Sequence, residues 1–263
     1  MRGKNRWEVQ IDTETKQVLQ VAYRRSDLIE QLHDGSWFNE KVKLYINSIL
    51  KKEIDYSYTE LKSLVGNRLD NVNQQIKYRL ASEINLIHKM TNYHIKSGGK
   101  RIRPALTILF SKLFGYKYGT RHIHLSACIE FIHMASLLHD DVVDESDLRR
   151  GKKTANKIWG NKASVLVGDY LFSKAFQIVV ADKNIDILKN LSETSKSLAQ
   201  GEVMQLSIAN NIDVEKSKYF KVIQDKTAKL FSSSAIVGGI IANTSKNNIK
   251  KLDDFGNYIG VAF

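Results

Sequence analysis

The chain is nearly without proline. It has one, Pro104, in 263 residues, where ordinary usage of about 5% would supply roughly 13. Proline marks loops and sheet edges, so its scarcity points to long helices with short connections. Cysteine is equally scarce: the single Cys128 excludes an internal disulfide framework and suits a reducing cytoplasm. Long apolar runs are missing too. The longest, Ala235 to Ala242, falls well short of the roughly 20 residues that cross a bilayer. The first turns carry Glu8, Asp12 and Glu14 and no apolar stretch, so no signal peptide is expected. Hydrophobic residues at 43% and charged residues at 26% describe a globular chain, with room for one large domain or two small ones.

Acidic residues are in deficit: 28 Asp and Glu against 40 Lys and Arg, a formal charge of +12. Such an excess fits a polyanionic partner (nucleic acid, anionic lipid or a phosphorylated substrate), or simply a lysine-rich solvated surface. A nucleic-acid reading would rest on net charge alone. No interleaved aromatics or recognition module accompany it, so no nucleic-acid partner is expected.

Residues 1–53 differ from the rest. They hold ten Lys/Arg and eight Asp/Glu, so the basic excess lies elsewhere. Trp7, Val9 and Ile11 alternate like a short strand, and Leu28 to Ile49 has room for short helices. We read 1–53 as an N-terminal appendage and 54–263 as a helical domain. From Tyr58 onward Leu61, Leu64, Val65, Leu69, Val72, Ile76 and Leu80 recur at spacings of three and four, one face of an amphipathic helix. Further helices are expected through Leu106 to Leu113 and over about 163–180, 185–207, 216–242 and 250 to the end. Between His124 and Val143 there is almost no polar face, which places that helix in the middle of a bundle. Beyond the first residues no run of alternating strand character stands out, and the expected fold class is all-α.

That central helix ends in His139-Asp140-Asp141-Val142-Val143-Asp144. Asp140 and Asp144 are four apart and share a face, with Cβ atoms about 5–6 Å apart, while Asp141 is rotated away by about 100°. Paired carboxylates at a helix C-terminus oppose the helix dipole and call for cations. Hard oxygen ligands so spaced suit magnesium, which keeps water ligands and bridges to substrate phosphates. A plain alternative is a solvated acidic terminus paired with Arg149 and Arg150. His133 lies seven residues before Asp140, on the same stripe. Upstream, Gly98-Gly99-Lys100-Arg101-Ile102-Arg103-Pro104 sets three cations before a helix N-terminus, an anion cradle by charge, dipole and N–H supply.

Taken in order, these residues resemble the trans-isoprenyl diphosphate synthase family, and its polyprenyl (octaprenyl- or solanesyl-type) branch in particular. The resemblance runs from about Tyr58 to Phe263. It includes G-G-K-R-I-R-P at 98–104, D-D-V-V-D-E-S-D-L-R-R-G at 140–151, V-L-V-G-D-Y-L-F at 165–172, Q-G-E-V at 200–203 and D-K-T-A-K-L-F at 225–231. It implies a helical bundle around a deep central cavity, usually homodimeric, performing head-to-tail 1′-4 elongation with Mg2+. It implies that Asp140 and Asp144 hold the metal ions, that Arg149, Lys226 and Thr227 bind the allylic prenyl diphosphate, and that Lys100, Arg103, His133 and Arg150 bind isopentenyl diphosphate. No protein nucleophile is needed, and no serine–histidine or cysteine–histidine arrangement is found. Peripheral membrane contact would come through the lipid product. A terpene cyclase would share the acidic motif but not the isopentenyl site.

In the family, bulky aromatics one turn before the first aspartate block the growing tail. Here Ala135 and Ser136 are small, so the expected product is long, C30 or above. The family also carries a second aspartate-rich motif after a stretch like Gly256 to Phe263. The sequence stops there, and Asp253-Asp254 lie too early to replace it. The expectation is a chain lacking the family's C-terminal helices, with little or no synthase activity alone, acting as a homodimer or with a complementing chain.

Overall fold

The computed structural model describes residues 63–209 and 214–263, together with the backbone of two strands near the N-terminus. The chain divides into two compact units, Met1–Asp55 with Ala262–Phe263, and Tyr56–Val261. In the first unit, β1 (Trp7–Ile11) pairs antiparallel with β2 (Val18–Tyr23), with a register shift between Gln10 and Ile11. The alternation at Trp7, Val9 and Ile11 is therefore a strand. The helices expected within Leu28 to Ile49 lie outside the described residues.

The second unit is helical, as expected. α1 (Arg68–Arg79) buries Leu69, Val72 and Ile76, the stripe set by the spacing of three and four. α2 (Asn85–Lys96) buries Ile87, Met90 and Thr91. α3 (Ile102–Leu113) begins with Pro104 in its first turn, where the missing N–H costs nothing. α4 (Arg121–Val143) is the central helix, with residues buried on every side. It packs most extensively on α6 (Asn161–Asp182), and also on α3, α1 and α9 (Lys229–Ile241). The remaining helices are α5 (Ala155–Trp159), α7 (Ile185–Ile208), α8 (Lys216–Ile223) and α10 (Lys246–Ala262). Asn184 caps α7 by accepting from the Ile187 N–H at 3.0 Å. By length and composition α6 could cross a membrane, and it buries Val167, Leu171, Ala175, Ile178 and Val179 in the core.

Two local features differ from the sequence reading. The helix expected over 216–242 is interrupted: Gln224–Ala228 form a π-helical turn between α8 and α9. A π turn admits one extra residue and re-aims side chains, here Lys226 and Thr227. A small hairpin, β3 (Leu148–Arg149) against β4 (Lys152–Lys153), also follows α4. Its turn residues Arg150 and Gly151 have φ of 54° and 75°, the signature of a type I′ turn. Asn-Gly or Asp-Gly normally announces that turn; Arg-Gly does not.

Close helix approach depends on glycine at Gly256 and Gly260. A methyl group at either would collide with the backbone of Ser232 or Ala228. This lets α10 lie directly on α9 and the π turn, over a second core of Leu106, Phe110, Phe231, Ala235, Ile236 and Leu252.

Candidate functional site

The last turn of α4 brings Asp140 inside and leaves Asp144 exposed. Asp140 is 8% exposed, and burial pushes its carboxyl up to about 7, helped by the negative charge and hydrogen bond of Glu202 and opposed by Lys226. Glu202 comes from α7, inside the Q-G-E-V stretch. Gly201 explains its placement: a Cβ there would stand 2.8 Å from the Lys226 backbone nitrogen, so only glycine lets α7 touch the π turn. Lys226 Nζ then lies 2.7 Å from Glu202 Oε1 and 3.9 Å from Asp140 Oδ2. Thr227 sits beside it, half-buried. Asp140 and Lys226 thus lie close together, Asp144 acts on Asp140 through its charge from an exposed position, and Glu202 joins them without having been singled out.

Asp141 faces the other way, as the helical rotation requires. It is 2% exposed and binds Arg149, whose Nε and Nη2 both reach Oδ1 at 2.8 Å. Part of the plain alternative, an acidic terminus paired with an arginine, is therefore real. Arg150, at the hairpin tip, is left free of it and makes no ion pair among the described residues.

The cationic wall is built by α3, its leading loop and α4. Arg103 Nη1 donates to His133 Nε2 at 3.2 Å. Arginine can only donate, so the ring is neutral with its proton on Nδ1. Burial, Arg103 and then His94 hold His133 well below the ordinary histidine range. Burial also pulls Arg103 down to about 10, opposed by Glu130. Its guanidinium stacks 4.2 Å above the Phe231 ring, and its Nε is buried with no hydrogen-bond partner. An orphaned buried donor in a basic pocket suits an anionic acceptor.

Lys100 is exposed on the loop. Arg101, counted with the three loop cations, is instead neutralised by an ion pair with buried Glu130 and also donates to Asn73 Oδ1 at 3.2 Å. Its backbone is left-handed, φ 51°. A methyl group at Gly99 would stand 3.1 Å from Arg101 Nη1 and 3.2 Å from Arg150 Nη1. Loop and hairpin tip thus lie close together, and the charges of Arg103 and Arg150 both act on His133. Cys128 is fully buried, donates to the Ala175 carbonyl oxygen and is held as a thiol by burial; it belongs to packing.

The donor set suits a hard divalent ion. Among the described residues no cluster of three or more His, Cys, Asp or Glu closes a metal cage. Magnesium does not require one, because one or two carboxylates suffice when water and substrate phosphate complete the shell. Asp140 and half-buried Glu202, whose negative charge raises the Asp140 carboxyl, would be stabilised by such a cation.

Residues 84–263 match the model of the polyprenyl synthetase family. The chain is 44% identical over 204 residues to the octaprenyl diphosphate synthase of Escherichia coli, covering 78% of this chain and 63% of the relative. It is 42% identical over 214 residues to that of Haemophilus influenzae, covering 81% and 65%. Among solved structures, a decaprenyl diphosphate synthase from Rhodobacter capsulatus superposes with a TM-score of 0.75 at 42% identity, over 78% of this chain and 63% of that one. A polyprenyl synthase from Caulobacter crescentus, complexed with calcium and isoprenyl diphosphate, gives 0.75 at 38%, over 78% and 62%. The chain thus spans under two thirds of these relatives' lengths. With its helical bundle, ordered motifs and converging charge walls, the chain belongs to the polyprenyl synthetase family.

Proposed function

We propose that the chain serves head-to-tail 1′-4 elongation, joining isopentenyl diphosphate to an allylic prenyl diphosphate to make a polyprenyl diphosphate of C30 or above. One observation carries this reading: a carboxylate–lysine wall (Asp140, Glu202, Lys226) and a separate cationic wall (His133, Arg103) lie two helical turns apart on one face of α4. That arrangement suits two diphosphates held at once, one through metal and one directly.

Asp140 and Asp144, with Glu202 alongside, would hold magnesium, which when bound offsets negative charge gathering on the departing diphosphate. Lys226, Thr227 and Arg149 would bind that allylic diphosphate, with Arg149 oriented by Asp141. Lys100, Arg103, His133 and Arg150 would bind the diphosphate of isopentenyl diphosphate. The allylic C–O bond breaks and its electron pair leaves with the diphosphate. The isopentenyl double bond attacks the allylic carbon, and a proton is lost. Water must be excluded throughout. The face below Asp140 supports this, since Ser136 and Ile132 follow at one-turn intervals. Ile132 opens on an apolar cleft with Phe176, Val179, Leu188 and Leu191.

The Caulobacter relative, complexed with calcium and isoprenyl diphosphate, supports a divalent ion and prenyl diphosphate here. A homodimer is supported by Val165, Leu166, Phe176 and Val180, exposed along one stripe of α6; sedimentation tests it against a monomer or a complementing chain. We place the reaction in the cytoplasm, with peripheral membrane contact through the lipid product.

The test is a magnesium-dependent binding and elongation assay with farnesyl diphosphate and isopentenyl diphosphate. Binding of both, with incorporation into long prenyl products, is expected of the elongating assembly. Isopentenyl diphosphate that neither binds nor is incorporated overturns the reading. Turnover of farnesyl diphosphate alone favours a cyclase.

A further inference from the structure

We propose that His94, on the last turn of α2, is a further diphosphate-contacting side chain of the pocket lined by His133, Arg103 and Arg150. The inference rests on the functional reading above and adds to it a residue from a helix that carries no family motif.

Contacts of the last turn of α2 bring His94 beside this pocket. Its neighbours on both sides are tied to the hairpin that carries Arg150. Tyr93 Oη donates to the Lys153 carbonyl oxygen at 2.6 Å, and the Tyr93 ring packs edge-on against Trp159 at 5.3 Å. Lys152 Nζ donates to the Lys96 carbonyl oxygen at 3.2 Å. The last turn of α2 is thereby clamped to the hairpin at both ends of the residues flanking His94. The charges of Arg150 and Arg149 on the hairpin and of Arg101 on the loop act on the His94 imidazole, and His94 acts in turn on His133; the Arg101 and Arg150 guanidinium groups also flank Gly99, five residues further along the chain.

The charges acting on His94 are all cationic. The two carboxylates nearby are already committed, Glu130 to Arg101 and Asp141 to Arg149. Arg150 makes no ion pair among the described residues, and the Arg103 Nε–H is buried without an acceptor. A pocket with spare donors, spare positive charge and no free acid is complementary to a polyanion.

Burial, then Arg150, Arg101 and Arg149, pull His94 down to about 4 and keep it neutral at pH 7. A diphosphate reverses each of these charge effects except burial. An imidazolium beside it donates a charge-assisted hydrogen bond, so the ring gains a proton from solvent as the ligand enters. Arginine has no such freedom, because it is charged in both states. His94 would make capture of isopentenyl diphosphate tighter as pH falls toward 6, within the range where the ligand stays ionised.

The test is calorimetry of the whole chain at pH 7 with isopentenyl diphosphate and with inorganic pyrophosphate. Buffers of different ionisation enthalpy report the protons taken up. Wild type should take up a substantial fraction of a proton on binding either ligand. His94→Gln, which keeps a donor but cannot charge, should lose that uptake and bind about tenfold more weakly or worse. His94→Phe should lose more. Magnesium-dependent binding of farnesyl diphosphate, at the other wall, should be unchanged, and it also reports that the variants are folded. Unchanged affinity and proton uptake in both variants overturns the role of His94 while leaving the functional reading intact. Wild type that binds pyrophosphate with proton uptake, but not isopentenyl diphosphate, overturns that reading and keeps His94 as an anion ligand. Wild type that binds neither overturns both.

Discussion

Glu202 and Asp140 are sixty-two residues apart in sequence, yet they share Lys226 and a hydrogen bond at the end of α4. Two carboxylates around one lysine leave the site one positive charge short. A divalent ion offsets that deficit, and so does removal of one acid.

Asp140→Asn should therefore raise the melting temperature of the metal-free protein at pH 8 and abolish its further rise on adding magnesium. Glu202→Gln should act the same way more weakly. Both should weaken magnesium-dependent farnesyl diphosphate binding by about tenfold or more, the scale of a hydrogen bond to a charged group. Thermal melts with and without magnesium, together with calorimetry, check this. A destabilised Asp140→Asn protein would contradict it.

Arg101 and Glu130 form a nearly buried pair beside the glycine loop. Removing one partner strands the other charge, at about 3–5 kcal/mol. Glu130→Ala should lower the melting temperature by on the order of 10 °C and loosen the loop that presents Lys100 and Arg103. The double variant Glu130→Leu/Arg101→Met should recover most of the stability, which denaturant unfolding would measure.

Ala135 and Ser136 separate in the structure. Ala135 is fully buried in the core. Ser136 is half-buried on the Asp140 face, and its hydroxyl donates to the His133 carbonyl oxygen. Ser136→Phe should shorten the product without unfolding the protein. Ala135→Phe should overpack the core, costing about 1–3 kcal/mol, before it alters chain length. Product chromatography beside melting curves distinguishes the two.

His122 is 8% exposed, stacks edge-on with Tyr116 at 5.3 Å and leaves Nδ1 without a partner. Burial, followed by Arg68, His124 and Lys112, pulls it down to about 4. Between that value and the ordinary 6.5 the unfolded chain binds the proton and the folded one does not. The stabilising contribution is thus present at neutral pH and lost as pH falls through this window. His122→Phe keeps the ring contact and should flatten the decline in melting temperature from pH 6.5 to 4.5. An unaltered pH profile would contradict the assignment.

Much of this was legible along the chain. The burial of α4 follows from its lack of a polar face, and the shared face of Asp140 and Asp144 follows from their spacing of four. The same arithmetic separates Ser136 from Ala135, because only Ser136 is one full turn from Asp140. The hairpin at Leu148–Lys153 was not legible: its strands are two residues each, too short for alternation, and its turn begins with arginine. The π turn was hidden because one extra residue leaves the apolar pattern of 216–242 almost unchanged.

What the sequence determined is everything that depends on neighbours in the chain: helix period, the phase of each apolar stripe, the order of the motifs and the excess of positive charge. Only the tertiary structure decided which charges are spent and which remain. Glu130 neutralises Arg101 and Asp141 orients Arg149, while Arg103 and Arg150 make no ion pair among the described residues and the charge of Arg150 acts on His94. The reason is physical. Electrostatic energy follows distance through space and the loss of surrounding water, and neither is a function of separation along the chain.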